Sequence, residues 1–386
     1  MTPLYRHSCF LFCAFLIGAG MQAMPVQVAF YGNDAGFDVP ASWLRAPVLS
    51  ESADHLKFDA RLEQWGLAAG LPSRIEQLKS DWQLDDYAAA LLLRSLALQC
   101  QGNTQDAVLM SWFLLRQAGY DAILGFASGQ PRVYLRLAFM TEGTLFVPWM
   151  GKRYTLFHTI SGPWRGNERI FLSPKEPQSL AQAVFMRPGS APRLGTAQAW
   201  RSIRFVHGNR EYALSLPYRK HWVAYLDDLP VISLGPLFVQ SALSPEARRM
   251  ASDSLRRWAG GMTRMQQLHL LLSFVQQGFS YRRDRDYLPF DKHNFPEQTL
   301  AAAYADCEDK AVLFLSLARD AFRIKGQLLY NESQEHIAAA VELPPQSPGA
   351  SFSQQGIPYL ICEPAFNGFK PGETRLPLRE PGKLLL

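Results

Sequence analysis

Cys307, His336 and Glu363 are the residue types, in the chain order, that a thiol nucleophile with its base and orienting carboxylate needs. Cys307 stands in Tyr304-Ala-Asp-Cys-Glu-Asp-Lys-Ala-Val-Leu-Phe-Leu, where an apolar segment of helical period begins. His336 heads the run His-Ile-Ala-Ala-Ala-Val-Glu-Leu, and Glu363 ends the run Tyr-Leu-Ile-Cys-Glu-Pro. Only the thiolate attacks, and a helix N-terminus lowers a thiol pKa by aiming unpaired N–H groups at the sulfur. His336 would take the thiol proton and return it to the leaving group, while Glu363 fixes the tautomer. The oxyanion needs donors, for which the Cys307 N–H and an upstream group, Tyr304 being nearest, are the candidates. Asp306, Glu308 and Asp309 fall in the first helical turn, where they suit the helix dipole but oppose thiolate formation. Activation therefore falls to His336, with Lys310 offsetting one carboxylate. Taken singly, a Cys before a buried helix or a His on a strand is ordinary core. The argument lies in the combination.

The stretch Asp306-Cys-Glu-Asp-Lys-Ala311, then a helix, a strand, His336 opening the next strand and Glu363-Pro364, resembles the transglutaminase-like cysteine superfamily. More closely it resembles the uncharacterised bacterial transglutaminase-like proteins that place Phe-Pro-Glu ahead of Asp-Cys-Glu-Asp. Phe295-Pro296-Glu297, Tyr304 and the upstream Phe279-Ser280-Tyr281 fit that arrangement, and the resemblance covers about residues 240 to 375. It implies a papain-like α+β core and a Cys-His-Asp triad, with Glu363 here where the family has Asp. The superfamily holds cross-linking enzymes, proteases, amidases and inactive members, so it names a chemistry and not a substrate.

The elements that must position these groups belong to a chain long enough for two domains, at 386 residues. A hydrophobic share of 48% with 19% charged residues is globular. The net charge of +5 is scattered, and no basic run interleaved with aromatics argues for nucleic acid. Arg6 and His7 precede a short apolar stretch from Cys9, with small residues up to Ala23. That pattern reads as a signal peptide over residues 1–23, shorter than the ~20 apolar residues of a membrane span. An uncleaved anchor is the alternative. Export to the periplasm or medium, with no membrane span after signal removal, is the expectation. Cys100, Cys307 and Cys362 would remain; Cys100 and Cys362 either form a bridge or pack singly. No spacing suggests a metal site or a phosphate loop, so no cofactor is expected.

Residues 103–139 slid on residues 307–343, an offset of 204, align Ala107-Val-Leu with Ala311-Val-Leu and Leu124 with Leu328. In that register Asn103 stands for Cys307 and Arg132 for His336, so a first copy would be chemically dead. An unrelated helical domain is the alternative. The expected fold is α+β. It comprises an N-terminal α+β domain over 24–165, a β-rich section over 166–240 and a transglutaminase-like domain over 241–386. Helices are expected near 73–118, 244–258 and 262–278, and strands near 122–126, 133–139 and 144–149. Further period-2 strands are expected at Ser202–Val206, Glu211–Leu216 and His221–Leu226. Residues 344–356, rich in Pro, Ser, Gln and Gly, read as a flexible surface loop. Tyr281, Tyr287, Phe290, His293 and Phe295 line a groove or form the core beneath the nucleophile; Tyr281 and His293 are the groove candidates.

The expected activity is an exported thiol-dependent hydrolase or acyltransferase acting on an amide or isopeptide bond. Its partner would be a protein or peptide substrate, cell-envelope material included. The alternative is a non-catalytic envelope peptide-binding or assembly protein that retains the cleft.

Overall fold

A computed structural model describes residues 23–44, 65–66, 70–160, 169–173, 181–187, 191–286, 291–344, 347–377 and 382–385. The expected signal peptide, but for Ala23, lies outside the described residues, as do Tyr287 and Phe290. The chain opens with a hairpin, β1 (Ala23–Phe30) and β2 (Asn33–Pro40), paired antiparallel. Val26, Val28 and Phe30 alternate inward opposite Phe37 and Ala35. The alternation of Val26, Val28 and Phe30 marks the first strand in the sequence. Three helices follow: α1 (Leu71–Trp82), α2 (Asp86–Gln101) and α3 (Gln105–Gln117). Asp85 caps α2 by accepting the Ala88 N–H at 2.8 Å, and Thr104 caps α3 through the Ala107 N–H.

Next come β3 (Ala122–Ala127), β4 (Gln130–Leu135), β5 (Phe146–Trp149), β6 (Lys152–His158) and β7 (Ile170–Leu172). They form one sheet in the order β5-β6-β4-β3-β7. A long hairpin, β8 (Gln198–His207) with β9 (Arg210–Arg219), turns at Gly208-Asn209. The segment expected as a third strand is instead helical, α4 (Lys220–Asp227). Its buried residues, Trp222, Tyr225 and Leu226, recur at helical spacing, so burial on one helical face overrides the alternation. Short α5 (Pro236–Gln240) leads to α6 (Pro245–Trp258) and α7 (Arg264–Gly278).

The site-bearing elements come last. β10 (Ser280–Tyr281) pairs parallel with β11 (Tyr304–Ala305) around α8 (Pro296–Ala301), and α9 (Cys307–Phe322) follows. The second large sheet comprises β12 (Gly326–Asn331), β13 (His336–Glu342), β14 (Ser351–Gln354), β15 (Ile357–Cys362) and β16 (Lys383–Leu385). Its order is β14-β15-β13-β12-β16. β14 corrects the flexible-loop expectation for residues 344–356, because Ser351–Gln354 pair with β15 along the sheet edge. The protein is thus mixed α and β with two curled half-barrel sheets.

The two sheets share one strand order, each taking its five strands third, fourth, second, first, fifth. β12 falls on β3 at the offset seen in the sequence, since both strand limits shift by 204. The turn then differs. Ala127 pairs with Gln130 across Ser128-Gly129, whereas Asn331 pairs with His336 across four residues. By pairing register His336 therefore answers to Gln130 and not to Arg132, because a gapless alignment ignores the longer turn.

The run Ala338-Ala-Ala is small for a reason. Ile337, Ala339 and Val341 join the core that includes Val312 and Leu315 of α9, while Ala338 and Ala340 face Leu329, Tyr359 and Ile361 on the other side. A sheet covered on both faces, with small side chains, lets α9 approach closely. At Gly326 even a Cβ would meet Ala340 O at 2.5 Å and Leu315 Cδ2 at 2.7 Å. That packing brings the start of α9 to the start of β13.

Candidate active site

Cys307 is the first residue of α9, and Asp306 precedes it in extended conformation without a side-chain cap bond. The thiol is buried, at 8% exposure. It donates to Glu308 Oε2 at 3.0 Å, and the Ile337 N–H donates to the sulfur. Burial first, then the charge and hydrogen bond of Glu308 and the charge of Asp306, push the thiol well above its ordinary value. The expected lowering by the helix start is corrected here. A helix terminus is worth about 1 kcal/mol at most sites, and an adjacent carboxylate with desolvation outweighs it.

His336 opens β13, as expected, and its Nε2 lies 2.8 Å from Glu363 Oε2. Glu363 follows β15 directly and is fully buried. Its other oxygen accepts the Thr374 hydroxyl at 2.5 Å. With both oxygens engaged, the carboxylate presents one fixed acceptor, so Nε2 carries hydrogen and Nδ1 remains to take a proton. Phe366 stacks on the imidazole at 5.2 Å. The segment bearing Phe366 is pinned by Gln276, whose Nε2 donates to Glu363 O and Phe369 O at 3.0 Å and whose Oε1 accepts the Gly368 N–H. The structure thus joins His336 to Glu363, and the Ile337 contact sets Cys307 beside the residue next to His336.

The remaining candidates divide. Tyr281 is exposed as a residue, but its phenol is partly buried, and that burial, then the nearby Cys307, raises it, so it flanks the nucleophile. Tyr304 is also exposed, with its ring under Arg282 at 5.1 Å. Asp306 is buried, and Oδ1 has no hydrogen-bond partner. His293, the other groove candidate, turns inward. It is largely buried, Nδ1 lies 3.3 Å from Glu308 Oε1, and its edge borders a cavity of about 380 Å³ with Phe238 and Phe295. Lys310 does not offset the neighbouring carboxylates; it donates to Gln276 O at 3.1 Å, and burial lowers it to about 8. Asp309 accepts both the Asn294 N–H and Nδ2–H, while burial and the Glu308 charge lift it to about 7.

Cys100 and Cys362 are free and buried, which corrects the possible bridge between them. Among the described residues no group of three or more His, Cys, Asp or Glu is placed to hold a metal ion. Sequence reasoning missed Thr374, Phe366 and Gln276. Only Gln276 carried a signal, as a polar residue within the buried run Leu270 to Gln276 of α7.

Asp306 yields a stability prediction. Burial, then the charges of Asp309, Glu308 and Asp284, raise its carboxyl from 3.8 to about 10. A carboxyl with a raised folded pKa stabilises most below its unfolded pKa and loses that contribution as pH climbs toward the folded value. Asp306→Asn removes the titration and no cap bond. The variant should melt higher than wild type at pH 7, and the gap should shrink toward pH 4. A gap that does not change with pH would refute this.

No family model, curated protein or solved structure matches the chain.

Proposed function

We propose that this chain is an exported thiol-dependent hydrolase or acyltransferase acting on an amide or isopeptide bond through Cys307, His336 and Glu363. The observation that carries the reading is the engaged His336–Glu363 pair beside a thiol at a helix start, with Ile337 N–H on the sulfur. In that reading His336 Nδ1 takes the thiol proton and Cys307 attacks the carbonyl carbon. The tetrahedral intermediate collapses as the imidazolium protonates the departing amine, leaving a thioester. Water or an amine then attacks the thioester, and the thiol regains its proton. Hydrolysis is preferred, since transamidation needs a site that excludes water. The substrate would be protein, peptide or cell-envelope material. Export rests on the N-terminal sequence pattern; no helix among the described residues is long and apolar enough to cross a membrane.

The fold reading is a papain-like or transglutaminase-like core in residues 241–386 with a degenerate copy before it. The shared strand order supports it, with Gln130 at the His336 position and α3 starting only at Gln105, past Asn103. A second reading, a non-catalytic peptide-binding protein, is favoured by the resting thiol, which is bonded to a carboxylate and held protonated. Incubation with envelope peptides and acid quenching separates the two. Wild type should yield a hydroxylamine-labile adduct on Cys307, and Cys307→Ala none. A folded wild type that never acquires the adduct would favour the binding reading.

A further inference from the structure

The hydrogen bond donated by the sulfur does not go to His336. It ends on Glu308, whose Oε1 lies 3.3 Å from His293 Nδ1. His293 Nε2 in turn lies 3.7 Å from Oε2 of Glu142, half exposed in the connection between β4 and β5. The sulfur thus hydrogen-bonds to the carboxylate of one imidazole–carboxylate pair, Glu308 with His293, while the other pair, His336 with Glu363, starts from the residue next to Ile337. From β13 the imidazole belongs to the strand beside the sulfur; from α9 the carboxylate touches it and the imidazole stands behind.

We propose that Glu308 and His293 are positioning residues that keep Cys307 a thiol in the free protein. Glu308 holds the proton on the sulfur, and the charge on His293 sets how firmly. Glu308 is no substitute for a base, because moving a proton from this thiol to a carboxylate is uphill by several pKa units. Its negative charge instead opposes a second one on sulfur. His293 cancels part of that charge while it is protonated. Burial alone would lower His293, but Glu308 with Glu142 and Asp309 raises it overall. Other titratable or charged groups face this arm as well. Asp306 and Asp309 lie on the Glu308 side, the exposed Arg285 reaches Glu308 through space, and Tyr281 faces the sulfur. None of these is positioned as Glu308 is, with a hydrogen bond to the sulfur. As pH rises His293 loses its proton, the Glu308 charge goes uncompensated, and ionising the thiol becomes harder.

The test reads the sulfur and not the reaction proposed above, so either idea can fail without the other. The full chain is alkylated with iodoacetamide from about pH 5 to pH 9, spanning the ordinary His and Cys ranges. The thiolate displaces iodide, the S–C bond forms as C–I breaks, and the thiol proton passes to buffer. Mass analysis of the Cys307 peptide gives the rate, and the fully buried Cys362 peptide reports any unfolding. Glu308→Gln should react about tenfold faster at pH 7, the effect of roughly one pKa unit. Glu308→Asp keeps the charge and should stay near wild type. His293→Gln should react several-fold slower at the acid end and converge with wild type at the alkaline end. Where His293 titrates, the wild-type logarithmic rate should climb with a shallower slope than that of Glu308→Gln, Asp309 titrating in both. Equal rates and slopes in wild type and Glu308→Gln overturn the proposal. So does a Glu308→Asp rate matching Glu308→Gln, which would mean packing and not charge.

Discussion

Replacing His336 by alanine should lower the rate of Cys307 acylation by an activated ester about a hundred- to ten-thousand-fold, the range for removing a positioned general base. The expectation is large because this thiol starts at a disadvantage. Burial and Glu308 push its pKa up, so without a base almost no thiolate exists at neutral pH. A thiol already ionised by its surroundings would depend far less on the imidazole. Glu363→Gln should cost less, since the amide oxygen can still accept from His336 Nε2 while the amide NH2 turns to the Thr374 hydroxyl, but it gives up the negative charge that stabilises the imidazolium. Single-turnover acylation in wild type, His336→Ala and Glu363→Gln gives the order. An acylation rate for His336→Ala within a few-fold of wild type would leave the imidazole without a catalytic role. His336 is buried yet is the first residue of β13, so its loss removes a ring stacked on Phe366 and little backbone order. A modest change in melting temperature should therefore accompany the loss of rate.

The parts of this site that are legible in the sequence are those fixed by local pattern. Cys307 falls at a helix start because Val312, Leu313, Phe314 and Leu315 set a helical period just beyond it. His336 and Glu363 fall at strand ends because alternating or continuous apolar runs stop there. The similarity between the two halves is visible as matched helix and strand spacing, and the sheets take up that spacing with the same strand order. What was not legible depends on partners distant in sequence. Thr374 completes Glu363 from a turn with no periodicity, and Glu142 approaches His293 from the first half of the chain. The sign of the thiol shift is a similar case. The helix dipole is written in the local sequence, but the burial of Cys307 with Glu308 is not, and burial decides. The α4 segment was misread because His221-Trp-Val-Ala-Tyr-Leu fits both periods; only the face buried by Trp222, Tyr225 and Leu226 selects the helix.

Gln276→Leu should be the most destabilising single change near the site, and it should also impair acylation where the protein remains folded. Leucine fills similar volume, so the loss is of hydrogen bonds and not of packing. The side chain amide serves Glu363 O, Phe369 O and the Gly368 N–H together. Gln276 is itself 3% exposed, so water does not readily replace it. Glu363 O is buried, so leaving it without a partner costs about 1–3 kcal/mol, while the part-buried Phe369 O and Gly368 N–H add less because water can reach them. Against a typical domain stability of about 5–15 kcal/mol, that is a large fraction. Chemical denaturation should show the midpoint falling, with the slope unchanged if the unfolded state is unaffected. The functional part follows from what the pinned segment carries. Phe366 stacks on His336, and the backbone of Glu363 itself is held, so releasing both lets the imidazole leave the attack geometry. Positioning of this kind is worth large factors for displacements near 1 Å. Lys310 tests the assignment from the other side, since it donates to the backbone oxygen of Gln276 and not to its side chain. That bond survives the substitution, so α7 and α9 should stay docked while the segment after Glu363 loosens. Hydrogen exchange should therefore rise at Gly368 and its neighbours and stay protected in the middle of α9. Uniform loss of protection, or an unchanged midpoint, would mean that Gln276 does not hold the segment.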